Sequence, residues 1–245
     1  MQPLVTVLVP MHNSAKFIQP CLFSILNQTH QNLQVLALND RSTDDTADKA
    51  MRFSFDPRFN LVKVKGGWIV PTLAEGSTLA RGKYICVVDA DDMLCLTAIE
   101  KCVAALEAAP EASFVYTNYV EWTPDTIKKG HRCDFEYSHG QLLRRFVTFH
   151  FRLIPTEKFL AVGGFDVRLK FADDYDLCLR LAEVGPVLRI REYLYLYRIH
   201  GNNTSIVHKV EANQWGRFVR ERGRYRCLDK GLGPVWMEGV ETVSG

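Results

Sequence analysis

The feature of this chain that most constrains its fold is the alternation of short apolar runs with segments of helical period. Residues 5–10 form a β-branched run of strand length ending at a proline, and residues 17–26 carry apolar side chains on one helical stripe. The same succession returns until residue 122. These repeated units predict an α/β domain with a mainly parallel central sheet flanked by helices, which binds ligands beyond the carboxyl ends of its strands.

The pattern predicts elements over most of the chain. Strands are predicted at 5–10, 33–38, 61–64, 84–88, 113–122, 149–154 and 187–198, and helices at 17–26, 73–81, 97–109, 141–147 and 175–183, with one more that follows residues 42–45 and ends at 51. Residues 123–140 show no clear element. No linker divides the chain, so 1–205 is predicted to be a single domain whose front half (1–110) binds one ligand and whose back half (111–205) binds another. A basic helical tail is predicted at 206–245.

Composition and charge narrow the class of protein. The 47% hydrophobic content is ample for a packed core, and a formal net charge of +2 does not indicate a nucleic-acid partner. No apolar run approaches the ~18 residues of a membrane-spanning helix, and the N-terminus lacks the basic region of a signal peptide. The seven cysteines include no CxxC pair, and we interpret them as reduced thiols of a cytosolic protein.

The first of three acidic clusters is Asn39-Asp40, directly after the second predicted strand. Its position at a carboxyl end makes Asp40 a candidate for contact with a ribose or a base. The simpler interpretation is a turn before a helix that residues 42–44 would cap, and the residues alone favour it.

The second cluster, Asp89-Ala90-Asp91-Asp92, directly follows the buried strand 84–88. Three carboxylates in four residues repel one another unless a cation compensates them. Asp89 and Asp91 point to the same side of an extended chain, and such oxygen ligands suit Mg²⁺ or Mn²⁺ on a diphosphate. Asp92 can also cap the following helix, and both interpretations hold together if different carboxylates serve the two purposes.

The third cluster, at 173–176, precedes an apolar helix. Asp174 lies three and seven residues before Leu177 and Leu181, which puts it on or near the buried side at the helix N-terminus. Stabilisation of the helix dipole explains an acidic residue there. The alternative is a general base, and the residues alone do not choose between them.

Other candidates carry weaker signals. His200 follows the last predicted strand, and a lone histidine is more often a hydrogen-bonded polar residue than a ligand. Trp68 and Trp122 are more typical of packing than of sugar platforms. The Arg-rich segment has two interpretations: a solvated helix face, slightly favoured, or contact with anionic lipid or a phosphorylated acceptor. Its arginines are Arg217, Arg220, Arg222, Arg224 and Arg226.

Six segments follow one another in a characteristic order. They are VTVLVPMHN at 5–13, SILNQT at 24–29, LNDRSTD at 38–44, RGKYI at 81–85 running into DADD at 89–92, GGFD at 163–166 followed by DDYDL at 173–177, and YRIHGNNTS at 197–205. Each is weak alone, but the ordered set is specific. Over residues 4–205 the chain resembles the family 2 inverting glycosyltransferases, which have the GT-A fold of nucleotide-diphospho-sugar transferases.

The resemblance implies a role for each matching residue. The donor nucleotide sugar would be bound by Pro10, His12, Asn39, Asp40, Asp89, Ala90 and Asp91. Asp91 and His200 would hold Mg²⁺ or Mn²⁺ on the diphosphate, and Asp174 would deprotonate the acceptor hydroxyl, with Asp173 and Trp122 on the acceptor side. Residues 1–110 become the donor half and 111–205 the acceptor half.

The implied function is metal-dependent, inverting transfer of a sugar from a nucleotide-diphosphate sugar, with a UDP-sugar as first expectation. The acceptor would be a hydroxyl of a sugar, a lipid-linked glycan or another molecule in polysaccharide or glycoconjugate assembly. A cytoplasmic location is expected, with contact between the Arg-rich segment and the inner membrane face as one option. Two alternatives remain: a non-catalytic nucleotide-sugar-binding module, because residues 72–76 lack the family's usual Arg and Asn, and a nucleotidyltransferase, which would need a phosphate loop that is absent.

Overall fold

Four parallel strands form the first half of the sheet. The structure, a computed structural model, describes residues 2–231. The strands are β1 (Val5–Met11), β2 (Leu33–Asn39), β3 (Phe59–Lys63) and β4 (Tyr84–Val87). They lie in the order β3-β2-β1-β4, and every residue of β1 and β2 is buried. Burial of both faces is what continuous apolar runs predict for strands with helices on either side.

The later strands extend the sheet beyond β4, and some of them run antiparallel to their neighbours. They are β5 (Met93–Leu94), β6 (Phe114–Trp122), β7 (Ile127–Lys129), β8 (Arg152–Pro155) and β9 (Val187–Arg198). The sheet continues from β4 in the order β8-β6-β9-β5, with β7 beside β6. β8 is antiparallel to both β4 and β6, and β9 is parallel to β6. Two reversals restore the direction, so β1, β2, β4 and β9 end at one edge of the sheet.

Helices cover both faces of this sheet. They are α1 (Ile18–Leu26), α2 (Thr46–Met51), α3 (Ile69–Ser77), α4 (Ala98–Ala108), α5 (His139–Leu142), α6 (Thr156–Ala161), α7 (Asp173–Ala182), α8 (Thr204–Val207) and α9 (Lys209–Asp229). Alternation along β1 directs Val7 and Val9 into the core that α1 and α4 cover. It directs Leu8 to the opposite core, which α3, α7 and α9 cover.

Helix α9 packs against the domain. Its buried residues are Val219, Gly223 and Cys227. A Cβ atom on Gly223 would lie 3.1 Å from Leu143 and 3.4 Å from Leu179, so the close approach of the helix favours glycine there. The predicted tail at 206–245 is therefore, over the residues described, a docked helix, and residues 232–245 lie outside the described range.

The prediction of a single α/β domain with a mainly parallel sheet is confirmed, and the differences are local. The structure adds β5, α6 and, within 123–140, β7 and a 3-10 helix at His131–Asp134. Helix α5 covers less of its region than the 141–147 prediction, and α3 begins at Ile69 instead of residue 73. The additions are too short to show a hydrophobic period, which is why the pattern missed them. Across residues 2–231 the structure contains no helix with both the length and the apolar content that crossing a bilayer requires.

Candidate active site

A cleft of about 1530 Å³ lies along the edge where β1, β2, β4 and β9 end. Single-ligand pockets usually measure about 300–1,000 Å³, so this cleft has room for two ligands side by side. Nine of the predicted site residues line it: Pro10, His12, Asp40, Asp89, Ala90, Asp91, Asp173, Asp174 and His200. Asn39 and Trp122 are not among the lining residues of the described chain.

At the β2 end of the cleft, Asp40 is held by backbone groups. Its Oδ1 accepts a hydrogen bond of 2.7 Å from the Gly67 N–H, and its own carbonyl oxygen lies 2.7 Å from His12 Nδ1. Gly66 has φ +35°, and a Cβ atom there would lie 2.4 Å from Asp40 Oδ1. Only glycine lets this loop come so close to the carboxylate. The result is a fixed carboxylate beside an imidazole, a suitable contact for a base or a ribose.

Asn39, the neighbour of Asp40, has a structural contact instead of a cleft position. It is buried, and its Oδ1 accepts from the Ser42 N–H at 3.1 Å. This is the turn interpretation that the residues alone favoured, and it applies to Asn39 while Asp40 faces the cleft.

At the β4 end, Asp91 meets His200 from the β9 end. His200 Nε2 lies 2.9 Å from Asp91 Oδ2, and about a quarter of the Asp91 side chain (26%) is accessible from the cleft. The Asn202 N–H donates to His200 Nδ1 at 3.2 Å, so in the neutral ring the proton is placed on Nε2, facing Asp91. The ring would bind an ion through Nε2 only as the other neutral tautomer, with its proton on Nδ1, so Asp91 is the better fitted ligand of the two.

Asp89 lines the cleft as a carboxyl group with a raised pKa. Burial raises its pKa to about 7, and the charges of Asp91 and Asp174 add to the effect. His150 Nε2 lies 3.6 Å from Asp89 Oδ2, but burial holds the pKa of that imidazole well below its usual value, so it brings little positive charge. A divalent cation at this end of the cleft would relieve the stress on Asp89.

Asp92 has a structural function. It is fully buried, and its two oxygens accept from the Tyr195 hydroxyl and the Arg198 N–H, each at 2.7 Å. No side chain caps α4, so the predicted cap is wrong, and Asp92 instead ties the β4 loop to β9. Asp89, Asp92 and His150 form a group whose ligand atoms lie within 4.8 Å of one another, but Asp92 is already committed to its two donors. Asp89 and Asp91 line the cleft, and Asp92 does not.

We expect Asp92→Ala to lower the free energy of unfolding by about 2 kcal/mol, because it leaves two buried donors without an acceptor. Urea unfolding at neutral pH measures this. Asp125→Ala, in the exposed turn after β6, is the control and should change stability by less than about 0.5 kcal/mol. Equal stability of the two variants would contradict the tie between β4 and β9.

Across the cleft, α7 begins with Asp173 and Asp174, and the two differ in access. Asp173 is buried, with burial and the charge of Asp174 raising its pKa to about 7. Asp174 keeps 34% of its side chain accessible, and its Oδ2 lies 3.3 Å from Arg152 Nη2. Asp174 is therefore the carboxylate that can reach a ligand, and Arg152, from β8, positions it.

Backbone conformation marks the same cleft. The non-glycine residues with positive φ in the described chain are Asn13 (48°), Arg41 (54°) and Ala172 (61°), and all three line the cleft. Such conformations cost free energy and concentrate at ligand sites. Ala172 directly precedes Asp173, so it sets the direction in which α7 enters.

Trp122 lies outside the cleft lining and packs against Arg198. The Arg198 guanidinium lies 4.0 Å from the centre of the Trp122 ring, and its Nε donates to the carbonyl oxygen of Asp91 at 2.7 Å. The expected place on the acceptor side is thus not where the structure puts this ring. Trp122 reaches the cleft only through Arg198 and the Asp91 loop.

Sequence reasoning missed Arg152, His150 and the Gly66-Gly67 loop. His150 and Arg152 stand within an apolar run, where a polar side chain must find a partner, and this was an available signal. The glycine pair directly before Trp68 was another, because paired glycines mark unusual backbone.

Comparison with known proteins identifies the class. The fold matches S. aureus TarS 1–349 in complex with UDP-GlcNAc at a TM-score of 0.69, with 16% identity over 81% of this chain and 59% of that one. It matches the mannosyltransferase PcManGT from Pyrobaculum calidifontis, in complex with GDP-Man and Mn²⁺, at 0.67, with 18% identity over 96% and 78%. The predicted GT-A fold is therefore confirmed.

The family follows from sequence. The model of glycosyl transferase family 2 matches residues 6–174, and the chain belongs to this family. The predictions of the family and of a glycosyltransferase are thereby confirmed. A chondroitin synthase of Pasteurella multocida (strain Pm70) and a hyaluronan synthase of Pasteurella multocida are each 33% identical over 220 residues, 89% of this chain. The chain spans less than a quarter of these relatives, 23% and 22% of their lengths.

Proposed function

We propose that this chain transfers a sugar from a nucleotide-diphosphate sugar to an acceptor hydroxyl with inversion at the anomeric carbon, assisted by a divalent cation. The observation that carries the proposal is that Asp91, after β4, and Asp174, at the start of α7, line one cleft. Asp89, two residues before Asp91, lies close enough to Asp174 for that charge to help raise the pKa of Asp89. Inverting transfer needs a base for the acceptor hydroxyl on one side of the reacting carbon and stabilisation of the departing diphosphate on the other.

The donor end of the cleft suits a nucleotide diphosphate. We propose that Asp40 and His12, after β2 and β1, contact the base and the ribose. Asp89 and Asp91, after the neighbouring strand β4, would contact the diphosphate. We propose a UDP-sugar, which the UDP-GlcNAc complex of TarS supports, while the GDP-Man complex of the mannosyltransferase makes GDP-sugars the alternative.

The carboxylates at this end fit Mg²⁺ or Mn²⁺, which favour oxygen ligands and keep several waters. We propose Asp91 as the principal ligand, with Asp89 beside it and His200 joining if its ring proton moves from Nε2 to Nδ1. When bound, the ion would neutralise charge on the departing diphosphate. The Mn²⁺ in the mannosyltransferase complex supports this assignment.

The protein's own contribution to the chemical step is a positioned base. We assign that role to Asp174, whose carboxylate would accept the proton of the acceptor hydroxyl as its oxygen attacks the anomeric carbon. Arg152 would position this carboxylate at the start of α7 and compensate its negative charge until it accepts the proton of the acceptor hydroxyl. Asp173 lies beneath it as a buried neighbour on the acceptor side.

The named activities of the relatives, chondroitin and hyaluronan synthases, support a role in polysaccharide or glycoconjugate assembly. We also propose a cytoplasmic location, supported by seven free cysteines, of which Cys21, Cys86, Cys102, Cys178 and Cys227 are buried. Contact of the exposed part of α9 with the inner membrane face is an extension of that proposal.

Thermal shift of the full chain against UDP- and GDP-sugars, with and without Mn²⁺, tests the proposal. A true donor should raise the melting temperature with Mn²⁺ and much less without it, because a bound ligand stabilises the folded state by mass action. Release of the nucleoside diphosphate in the presence of an acceptor should follow for the same donor. Binding of a donor with no release against any acceptor would favour the non-catalytic module, and pyrophosphate release from nucleoside triphosphates would favour a nucleotidyltransferase.

A further inference from the structure

Positive charge without acidic partners concentrates at the acceptor end of the cleft. Arg132, Arg145, Arg217 and Arg220 all line it. Within residues 2–231, none of these four guanidinium groups forms an ion pair with a carboxylate, whereas two other arginines of the cleft do, Arg41 with Asp40 and Arg152 with Asp174. The net charge of the whole chain is only +2, so this concentration is local.

Helix α9 shows that the arrangement is selective. Lys209, Asn213, Arg217 and Arg220 follow one another at helical spacing and face the cleft. The acidic residues Glu211, Glu221 and Asp229 of the same helix do not line the cleft. The cleft-facing stripe of α9 therefore carries cations and an amide but no carboxylate.

Aromatic rings pack against the other two arginines, Arg132 and Arg145. The Arg132 guanidinium lies 4.2 Å from the centre of the Phe149 ring and 5.1 Å from that of Phe146. Phe146 stacks on Tyr175 at 4.6 Å, and Tyr175 follows Asp174 in α7. This places a cation over an aromatic floor that reaches the first turn of α7. Arg145 lies 4.1 Å from the centre of the Phe135 ring on the same side.

Arginines gathered from three separate segments in this way repel one another until an anion arrives. Guanidinium groups bind carboxylate and phosphate oxygens with paired hydrogen bonds, and they can do so while one face stacks on an aromatic ring. Arg132 Nη1 and Arg220 Nη1 each donate to one backbone carbonyl oxygen, which leaves further N–H donors on both groups. Because the groups are distributed along the cleft wall and along α9, they match an anion that repeats along a chain better than a single charge.

We propose that four arginines of the cleft form an acceptor subsite for a glycan that carries negative charges along its length, as carboxylates or as phosphodiesters. These arginines are Arg132, Arg145, Arg217 and Arg220. The inference rests on the proposed function, because it names the acceptor class of the same cleft. The anions would hold the acceptor chain so that its terminal hydroxyl reaches Asp174, and a neutral glycan would lack this anchor.

Isothermal titration calorimetry on the full chain tests the proposal with three probes: hexagalacturonate, a glycerol-phosphate hexamer and maltohexaose. At least one anionic hexamer should bind about tenfold or more tighter than maltohexaose at low salt, with the advantage shrinking as ionic strength rises. Which of the two binds more tightly identifies carboxylate or phosphate as the source. In Arg217→Gln the affinity for that hexamer should fall about tenfold, and in Arg132→Gln/Arg217→Gln about a hundredfold.

Arg52→Gln is the matched control, because Arg52 is exposed at the end of α2, outside the cleft, and its loss removes the same charge. It should leave all three affinities unchanged.

Nucleotide-sugar binding in the same variants separates the subsite proposal from the transferase proposal. The subsite would be overturned if charged and neutral hexamers bound with equal affinity, or if neither anionic hexamer bound measurably. Intact donor binding in the same experiments would leave the transferase proposal standing. A loss of donor affinity in Arg217→Gln, with hexamer binding kept, would overturn the subsite as well, since the arginines would then serve the diphosphate.

Discussion

Asp174→Asn is expected to lower the rate of sugar transfer by about 10²–10⁴-fold while donor affinity stays within about twofold. Asparagine keeps the size of the side chain and an oxygen that can face Arg152, but its amide cannot accept the proton of the acceptor hydroxyl. The effect should therefore fall on kcat and on kcat/KM alike, as for an interaction made in the transition state. Release of nucleoside diphosphate with acceptor present measures the rate, and calorimetry with the donor measures the affinity.

Asp48→Asn, an exposed carboxyl on α2 away from the cleft, is the control for this substitution and should retain full activity. If Asp174→Asn also retained activity, the base would have to be another group. Asp173, its buried neighbour, would then be the first to examine, because its pKa of about 7 suits proton exchange near neutral pH.

The second large effect is expected for Asp91→Asn, which should abolish the part of donor affinity that depends on metal. The substitution removes a negative oxygen ligand from the cleft, so we expect at least about a hundredfold loss of affinity for the donor in the presence of Mn²⁺. Without metal, the variant and the native chain should bind the nucleotide almost equally. Donor titrations with Mn²⁺ and after chelation compare the two conditions directly.

Two further measurements define the result for Asp91. Asp125→Asn, in the exposed turn after β6, should preserve the metal dependence. Urea unfolding should show that Asp91→Asn folds normally, in contrast to the loss of stability expected for Asp92→Ala. Metal-dependent binding that survives Asp91→Asn would show that the ion is held elsewhere, and Asp89 would be the remaining cleft carboxylate in the loop after β4.

Much of the site could be predicted because parallel strands bring their carboxyl ends together. That rule places the acidic clusters after β2 and β4, and the family resemblance adds the histidine after β9. Asp40, Asp89, Asp91 and His200 do line one cleft. The rule depends only on strand direction, which apolar runs and their connections reveal. It needs no knowledge of side-chain contacts.

What the sequence could not supply is the choice between adjacent side chains. Asn39 and Asp40 follow the same strand, yet only Asp40 faces the cleft, because the turn takes up the amide of Asn39. Asp91 and Asp92 likewise separate into a cleft carboxylate and a buried acceptor for Tyr195. The outcome in each pair depends on partners more than twenty residues away or on the exact turn, and neither leaves a mark in local pattern.

The sequence also did not predict that α9 packs against the domain, because its local pattern does not show the contacts. Its apolar stripe is short, since only Val219, Gly223 and Cys227 are buried, and five arginines dominate the segment. Two of them turn toward the domain: Arg222 lies 3.1 Å from Asp166 and Arg226 lies 2.8 Å from Glu183. Others face the cleft, so one basic helix contributes both to packing and to the proposed acceptor subsite.

The link between Asp92 and β9 has a consequence for anyone who recombines such proteins. Tyr195 and the Arg198 backbone reach across the sheet to a carboxyl group that belongs to the opposite half of the sequence. A chimera that took its acceptor-recognising portion from another member would inherit a new β9 but keep the old β4 loop. The two parts of the chimera would pack correctly only if both parent proteins have this contact. The exchange of acceptor specificity between members therefore depends on a hydrogen-bonded contact outside the cleft.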